Sequence, residues 1–153
     1  MATTTTAPMS AVARRVARRG IVQHLIAADE RSLGELQALL ATLPICATGR
    51  VFVEVPDASW VGALDVPGRM TVTWLDRSLR TGRTGSGRRC HRGDALARAV
   101  NAWADEMMCA DDDSTRVFLL AGYLGTAEIV DHLGEHLGRE ASTLHVPAEY
   151  GLA

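Results

Sequence analysis

The chain has 153 residues, 47% hydrophobic and 22% charged, a normal globular balance in which most of the chain should bury one real core. The formal net charge is -2, so bulk charge gives no drive toward nucleic acid or a membrane surface. No segment reaches the ~18 consecutive apolar residues of a membrane span, and the charged N-terminus lacks the apolar stretch of a secretory signal.

Cys46, Cys90 and Cys109 are odd in number and none stands in CxxC spacing. That argues against a disulfide framework or structural zinc and for reduced thiols in the cytoplasm. Every basic residue is Arg, with two groups, Arg14 to Arg19 and Arg77 to Arg92.

Residues 1–19 carry a Thr run and then Arg14, Arg15, Arg18 and Arg19. They are expected to form a flexible basic arm with a helical turn from Ser10 to Arg18, solvated rather than bound to RNA or an acidic partner. One domain is expected over 20–153. Ile21 to Ile26 is an apolar run suited to a buried strand, followed by a turn from Ala27 to Ser32. Leu33, Leu36, Leu39, Leu40 and Leu43 recur at helical spacing, and Pro44 marks the stop. Arg50 to Val55 and Met70 to Leu75 predict the second and third strands, with a loop over 56–68.

Residues 76–93 hold four glycines among six arginines without apolar periodicity, which predicts an exposed, flexible loop. Asp94 is placed to cap a helix reaching about Met108, with Leu96, Val100, Trp103, Ala104 and Met107 on one face. Asp111, Asp112 and Asp113 read as a solvated polar turn, since three adjacent carboxylates do not converge on their own. Arg116 to Leu120 predicts a fourth strand. A helix with Leu124, Ile129, Val130, Leu133 and Leu137 follows, and Ser142 to Val146 predicts a fifth strand. The alternation predicts an α/β fold with a doubly wound five-stranded parallel sheet, Rossmann-like, in the order 3-2-1-4-5. Its ligand crevice is expected where the first and fourth strands diverge.

Four stretches carry a family resemblance. They are His24 to Leu33 (HLIAADERSL), Val51 to Ala58 (VFVEVPDA), Val72 to Arg77 (VTWLDR) and Phe118 to Gly122 (FLLAG) before a helix. In order and spacing the chain resembles the C-terminal, NAD(P)H-binding, ferredoxin-reductase-like domain of the siderophore-interacting proteins, which are flavin-dependent ferric-siderophore reductases. The first stretch is similar to the family's Gly-Asp-Glu-Thr turn, the third to its Val-x-Trp-Leu-x-Arg and the last to its Ala-Gly-Glu turn. Departures accompany the likeness. Ala28 stands for Gly, Tyr123 for Glu, and the aromatic C-terminal ending is reduced to Tyr150. The family's flavin-binding barrel precedes this domain, and only 19 residues stand before the first strand here. The resemblance therefore implies a stand-alone domain that does not hold FAD without a partner.

Three turns should meet at the carboxyl ends of the strands. Around Asp29, Glu30 and Ser32, a helix N-terminus offers N–H groups to a phosphate and Ser32 adds a hydroxyl; equally, Asp29 and Glu30 suit helix capping. Around Trp74, Arg77 and Arg80, the resemblance implies that Arg77 meets an adenosine 2′-phosphate, with Arg80 and Arg83 assisting; the alternative is a solvated Arg loop. Around Gly122, Tyr123, Leu124 and Gly125, the glycines permit close approach and Tyr123 can stack on a ring; a tight strand-to-helix turn explains the same residues. No GxGxxG is present.

His132 to His136 matches HxxEH, which needs a third ligand to bind zinc, so no metal is expected. Cys90 among arginines suggests a lowered thiol pKa, set against an incidental exposed thiol. The Arg loop lacks interleaved aromatics, so nucleic-acid binding is not expected. Two functions stand open: an NAD(P)H-binding component working with a flavoprotein partner on ferric siderophores, without acid–base residues of its own, or a non-catalytic interaction module, with a homodimer as one form.

Overall fold

The computed structural model describes residues 22–109 and 114–152. The basic arm, Ile21 and the triple-Asp turn lie outside the described residues. Four parallel strands form the sheet: β1 (Gln23–Asp29), β2 (Thr48–Val55), β3 (Arg69–Asp76) and β4 (Thr115–Leu119), in the order β3-β2-β1-β4. Two helices connect strands, α1 (Leu33–Thr42) between β1 and β2 and α2 (Asp94–Met107) between β3 and β4, and a third, α3 (Tyr123–Leu137), follows β4. No described helix is long and apolar enough to cross a membrane.

The helices cover both faces, so the expected doubly wound arrangement is present. On one side Leu36 and Leu40 of α1 pack on Ile26, Ala28, Val51, Val53, Val55 and Met70. On the other, Leu96, Val100 and Ala104 of α2 and Ile129 and Leu133 of α3 pack on Leu25, Ala27, Phe52, Val117 and Leu119. β1 lies at the centre, so it is apolar on both faces and its sequence runs Leu-Ile-Ala-Ala without alternation. Leu124 and Met107, expected among the packed helix positions, are exposed, while Thr126 in the same turn of α3 and Met108 just past α2 are buried instead.

The sheet has four strands, which corrects the expected fifth. Ser142 and Thr143 are taken up in a 3-10 turn, Ala141–Thr143, with the Thr143 hydroxyl donating to the Glu140 carbonyl. Only His145 then reaches β4, as a single parallel bridge to Phe118, before Pro147. Its ring stacks on Phe118 at 4.3 Å. The arrangement is compatible with a Rossmann-like fold, with the switch point between β1 and β4. Asp94 does not cap α2 as expected; Gly93 occupies that position at φ 92°, and the Asp94 carboxylate accepts from the His91 N–H at 2.9 Å.

The N-termini of α2 and α3 meet at the carboxyl edge through Gly93 and Gly125. A Cβ on Gly125 would stand 2.9 Å from the Gly93 Cα, a backbone atom that cannot swing aside. Gly125→Ala is therefore expected to destabilise the fold by about 1–3 kcal/mol through overpacking, read from urea unfolding. Gly34→Ala in α1, with nothing within 4 Å of the new Cβ, should leave stability unchanged or raise it by about 1 kcal/mol.

Candidate functional site at the carboxyl edge of the sheet

At the switch point the chain closes its own crevice. Asp29, the last residue of β1, accepts the Arg31 N–H on Oδ1 at 2.9 Å and the Gly122 N–H on Oδ2 at 2.9 Å. One carboxylate thus ties the turn after β1 to the turn after β4. Ser32 precedes α1 but makes no side-chain cap bond to it. Its buried hydroxyl accepts from the Asp29 N–H at 3.0 Å and donates to the Asp29 carbonyl at 3.3 Å.

Next to this tie lies a cluster of opposite charges. Arg77, the first residue beyond β3, donates both arms of its guanidinium to Glu30, at 3.1 and 3.0 Å. Arg92 donates to the same Glu30 carboxylate. The Glu30 and Arg77 side chains are only 7% and 13% exposed, and that of Arg92 is 37% exposed. Beneath them Glu54 of β2 is fully buried. Its Oε2 accepts the Gly93 N–H at 2.6 Å and stands 3.9 Å from Arg77, while Oε1 has no hydrogen-bond partner. The two glutamates are driven apart in acidity. Burial pushes Glu30 up, but hydrogen bonds and charge from Arg77, with help from Arg92, bring it below the usual value. For Glu54 burial wins over the Gly93 N–H and the Arg77 charge, and its pKa is raised.

The loop over 76–93 is more ordered than its composition suggests. Thr81 and Arg89 form an antiparallel bridge, and Arg98 of α2 donates to the carbonyls of Thr81 at 2.7 Å and Gly82 at 3.2 Å. The loop borders two clefts that share Arg89. One, of about 450 Å³, is lined by Pro56, Arg77, Ser78, Arg80, Arg89 and Cys90. The other, of about 360 Å³, holds Arg83, Arg88, Arg89 and His91 among its walls. Arg83 stands 3.7 Å from Glu128. Among the described residues no carboxylate lies within ion-pair distance of Arg80, Arg88 or Arg89. Cys90 is neither activated nor an exposed thiol: it is partly buried, and burial with the charges of Glu54 and Asp94 raises its pKa despite Arg98.

Of the other expected site residues, Trp74 packs on the α1-side core rather than lining the Arg77 cleft. Gly125 is buried against Gly93. Tyr123 is half-exposed and Leu124 is 74% exposed. The sequence reading missed Glu54, Arg92 and Tyr150. A lone charge inside the apolar stretch Val51 to Val55 was the available signal for Glu54. Tyr150 donates to the Ala121 carbonyl at 3.1 Å and meets the Tyr123 ring edge-on at 5.6 Å. His132 binds Asp105 at 2.7 Å beside His136, and among the described residues no three potential ligands gather in a metal-holding group.

A parallel sheet with helices on both faces and a cationic cleft at its carboxyl edge defines an α/β domain compatible with the Rossmann-like class. Within that class the family model for siderophore-interacting proteins matches residues 21–146, and the chain belongs to that family. The siderophore-interacting protein SipS from Aeromonas hydrophila superposes with a TM-score of 0.59 at 13% identity, over 82% of this chain and 44% of that one. A siderophore utilization protein from T. fusca gives 0.57 at 24% identity, over 81% and 42%. These likenesses show the fold, and the chain spans less than half the length of either structure. No curated protein matches the sequence.

Removing Arg77 leaves Glu30 and Glu54 facing each other, so Arg77→Ala is expected to cost about 2–3 kcal/mol in urea unfolding, below a fully buried pair because Arg92 and solvent partly compensate. The pH dependence differs for the two acids. Glu30, whose folded pKa is lowered, contributes stability above its ordinary value that is lost as pH falls through the folded pKa. Glu54, whose folded pKa is raised, contributes below the ordinary value of 4.5 and loses it as pH rises through the raised one. The stability of Glu54→Gln relative to the parent should therefore grow as pH rises from about 4 to about 8; a gap that stays flat or shrinks contradicts the buried, raised glutamate.

Proposed function

We propose that this domain binds NAD(P)H at the carboxyl edge of its sheet and works with a flavin carried by a protein partner to reduce ferric siderophores. The cleft lined by Arg77, Ser78, Arg80 and Arg89 is the observation that carries the reading. It stands just past the end of β3, at the sheet edge where parallel α/β domains bind ligands, and its size falls in the range of small-molecule sites. Arg80 and Arg89 have guanidinium forks free for the adenosine-side phosphate, and Arg77 borders the same space. The pyrophosphate is assigned to the N-terminus of α1 beside Ser32, whose own hydroxyl is held by the Asp29 backbone. Tyr123 and Gly122 border the nicotinamide, with Leu124 beside them.

When bound, the nicotinamide would supply a hydride to the partner's flavin, whose two electrons would reduce two ferric ions one at a time with the proton released to water. This chain's residues bind and orient; none is required to move a proton. FAD is assigned to the partner. Exposed Trp60, Val61, Leu79, Tyr123 and Leu124 all lie in segments that follow the carboxyl ends of strands, which suits docking of such a partner there.

A second reading has its own observation. Asp29, Glu30 and Glu54 occupy the N–H groups of Arg31, Gly122 and Gly93 and the forks of Arg77 and Arg92. A domain neutralised in this way suits a non-catalytic interaction module, alone or as a homodimer.

Calorimetric titration with NADPH, NADH, FAD and FMN separates the two. The nucleotide reading expects saturable NADPH binding that weakens about tenfold or more in Arg80→Ala and Arg89→Ala, with no binding of either flavin. An absence of heat with both nicotinamides at millimolar concentration would leave the interaction module.

A further inference from the structure

We infer that the Glu30 carboxylate is a built-in anion occupying a phosphoryl-binding site between Arg77 and Arg92, and that a ligand's phosphoryl group enters by displacing it. The proposal rests on the nucleotide reading for the identity of that ligand, but the site stands on its own geometry.

Two guanidinium groups from opposite ends of the 76–93 loop converge on one carboxylate. Arg77 approaches with both arms at 3.1 and 3.0 Å, and Arg92 adds a third N–H. Planar forks arranged about a shared centre are the usual donors for phosphate as well as for carboxylate. A carboxylate offers two oxygens to these forks, whereas a phosphoryl group offers three and carries more charge. The Arg92 Nε is buried and has no partner, so this fork is only partly used by Glu30.

An approach exists. Arg77 lines the 450 Å³ cleft together with Arg80 and Arg89, whose charges draw an anion toward it. Glu30 sits in the short turn between β1 and α1, so rotation of its side chain can vacate the site without moving the sheet. The other carboxylates that face the cluster are Glu54, 3.9 Å from Arg77, and Asp29, whose two oxygens are held by the Arg31 and Gly122 N–H groups. Glu54 opposes an incoming dianion least when it is protonated, the direction in which burial drives it.

The consequence is a self-competed site. The parent protein should hold free phosphate weakly, because each phosphate must first break the bidentate pair. Removal of the carboxylate should expose the site.

The test uses inorganic phosphate as the probe. Thermal unfolding of the parent and of Glu30→Ala is followed in sodium phosphate and in sodium chloride at matched ionic strength. Glu30→Ala is expected to melt lower in chloride and to recover most of the loss in phosphate, saturably, with an apparent Kd at least about tenfold tighter than the parent's. Adding Arg92→Ala should abolish the recovery. An equal phosphate effect on parent and variant, or recovery that survives Arg92→Ala, overturns the site. If Glu30→Ala does not fold in chloride, calorimetric titration of Glu30→Gln with phosphate makes the same comparison. NADPH titration of the parent tests the other reading separately. Phosphate recovery without NADPH binding keeps the site and removes the nucleotide. NADPH binding without phosphate recovery does the reverse.

Discussion

Arg77 ties together three strand ends, two of which carry carboxyl groups that would otherwise repel. Asp29, Glu30 and Glu54 bring three carboxyl groups to the carboxyl ends of β1 and β2, and Arg77 arrives from β3 to face them. Its bidentate pair with Glu30 spans 47 residues of sequence. It reaches across β2, which separates the two strands in the sheet. The pair sits at low exposure, where a lost partner leaves a charge that water reaches poorly. Through Glu54 the same cluster extends to the N-terminus of α2, since Gly93 donates to that carboxylate. Gly93 in turn sets the position of α3 by its contact with Gly125. The carboxyl edge is thus one connected polar assembly lying over two apolar cores.

This assembly also defines what the edge can do. In an open parallel sheet the helix N-termini and turn N–H groups at that edge are the usual anion donors. Here several of them are satisfied internally, by Asp29 at the β1–β4 switch point and by Glu54 at α2. The positive charge left for a ligand is displaced toward the loop that follows β3, where Arg80, Arg88 and Arg89 have no carboxylate within ion-pair distance among the described residues. That loop is kept in shape by Arg98, which spends its guanidinium on the Thr81 and Gly82 carbonyls.

The fold was legible where burial dominates. β1, β2, β3 and β4 each announce themselves as apolar runs between turn residues, and the leucines of α1 repeat at helical spacing. Failures came where local hydrogen bonding overrides propensity. The stretch from Ser142 to Val146 looks like a strand, but the Thr143 hydroxyl turns back to Glu140 and leaves one residue to pair. Asp94 stands where a cap is expected, yet Gly93 adopts the left-handed conformation and the carboxylate serves His91 instead. At the site, Glu30 and Arg77 were each singled out for a ligand. Their mutual pairing was invisible because nothing in one sequence connects positions so far apart. Arg92 is one of six arginines in the loop over 76–93, of which only Arg77, Arg80 and Arg83 were singled out for a phosphate. The order of the loop was likewise unreadable, since it depends on Arg98, a helical residue outside it.

The most direct test of the account follows backbone amide shifts by two-dimensional NMR while NADPH is titrated into the labelled protein. Localised, saturable shifts in Glu30 to Ser32, Arg77 to Arg80 and Gly122 to Gly125, with little change around the Leu43 and Asp65 side of α1, would place the ligand at the carboxyl edge. Shifts confined to that opposite region, or no shifts at saturating nucleotide, would contradict it and leave the charged cluster as structure alone.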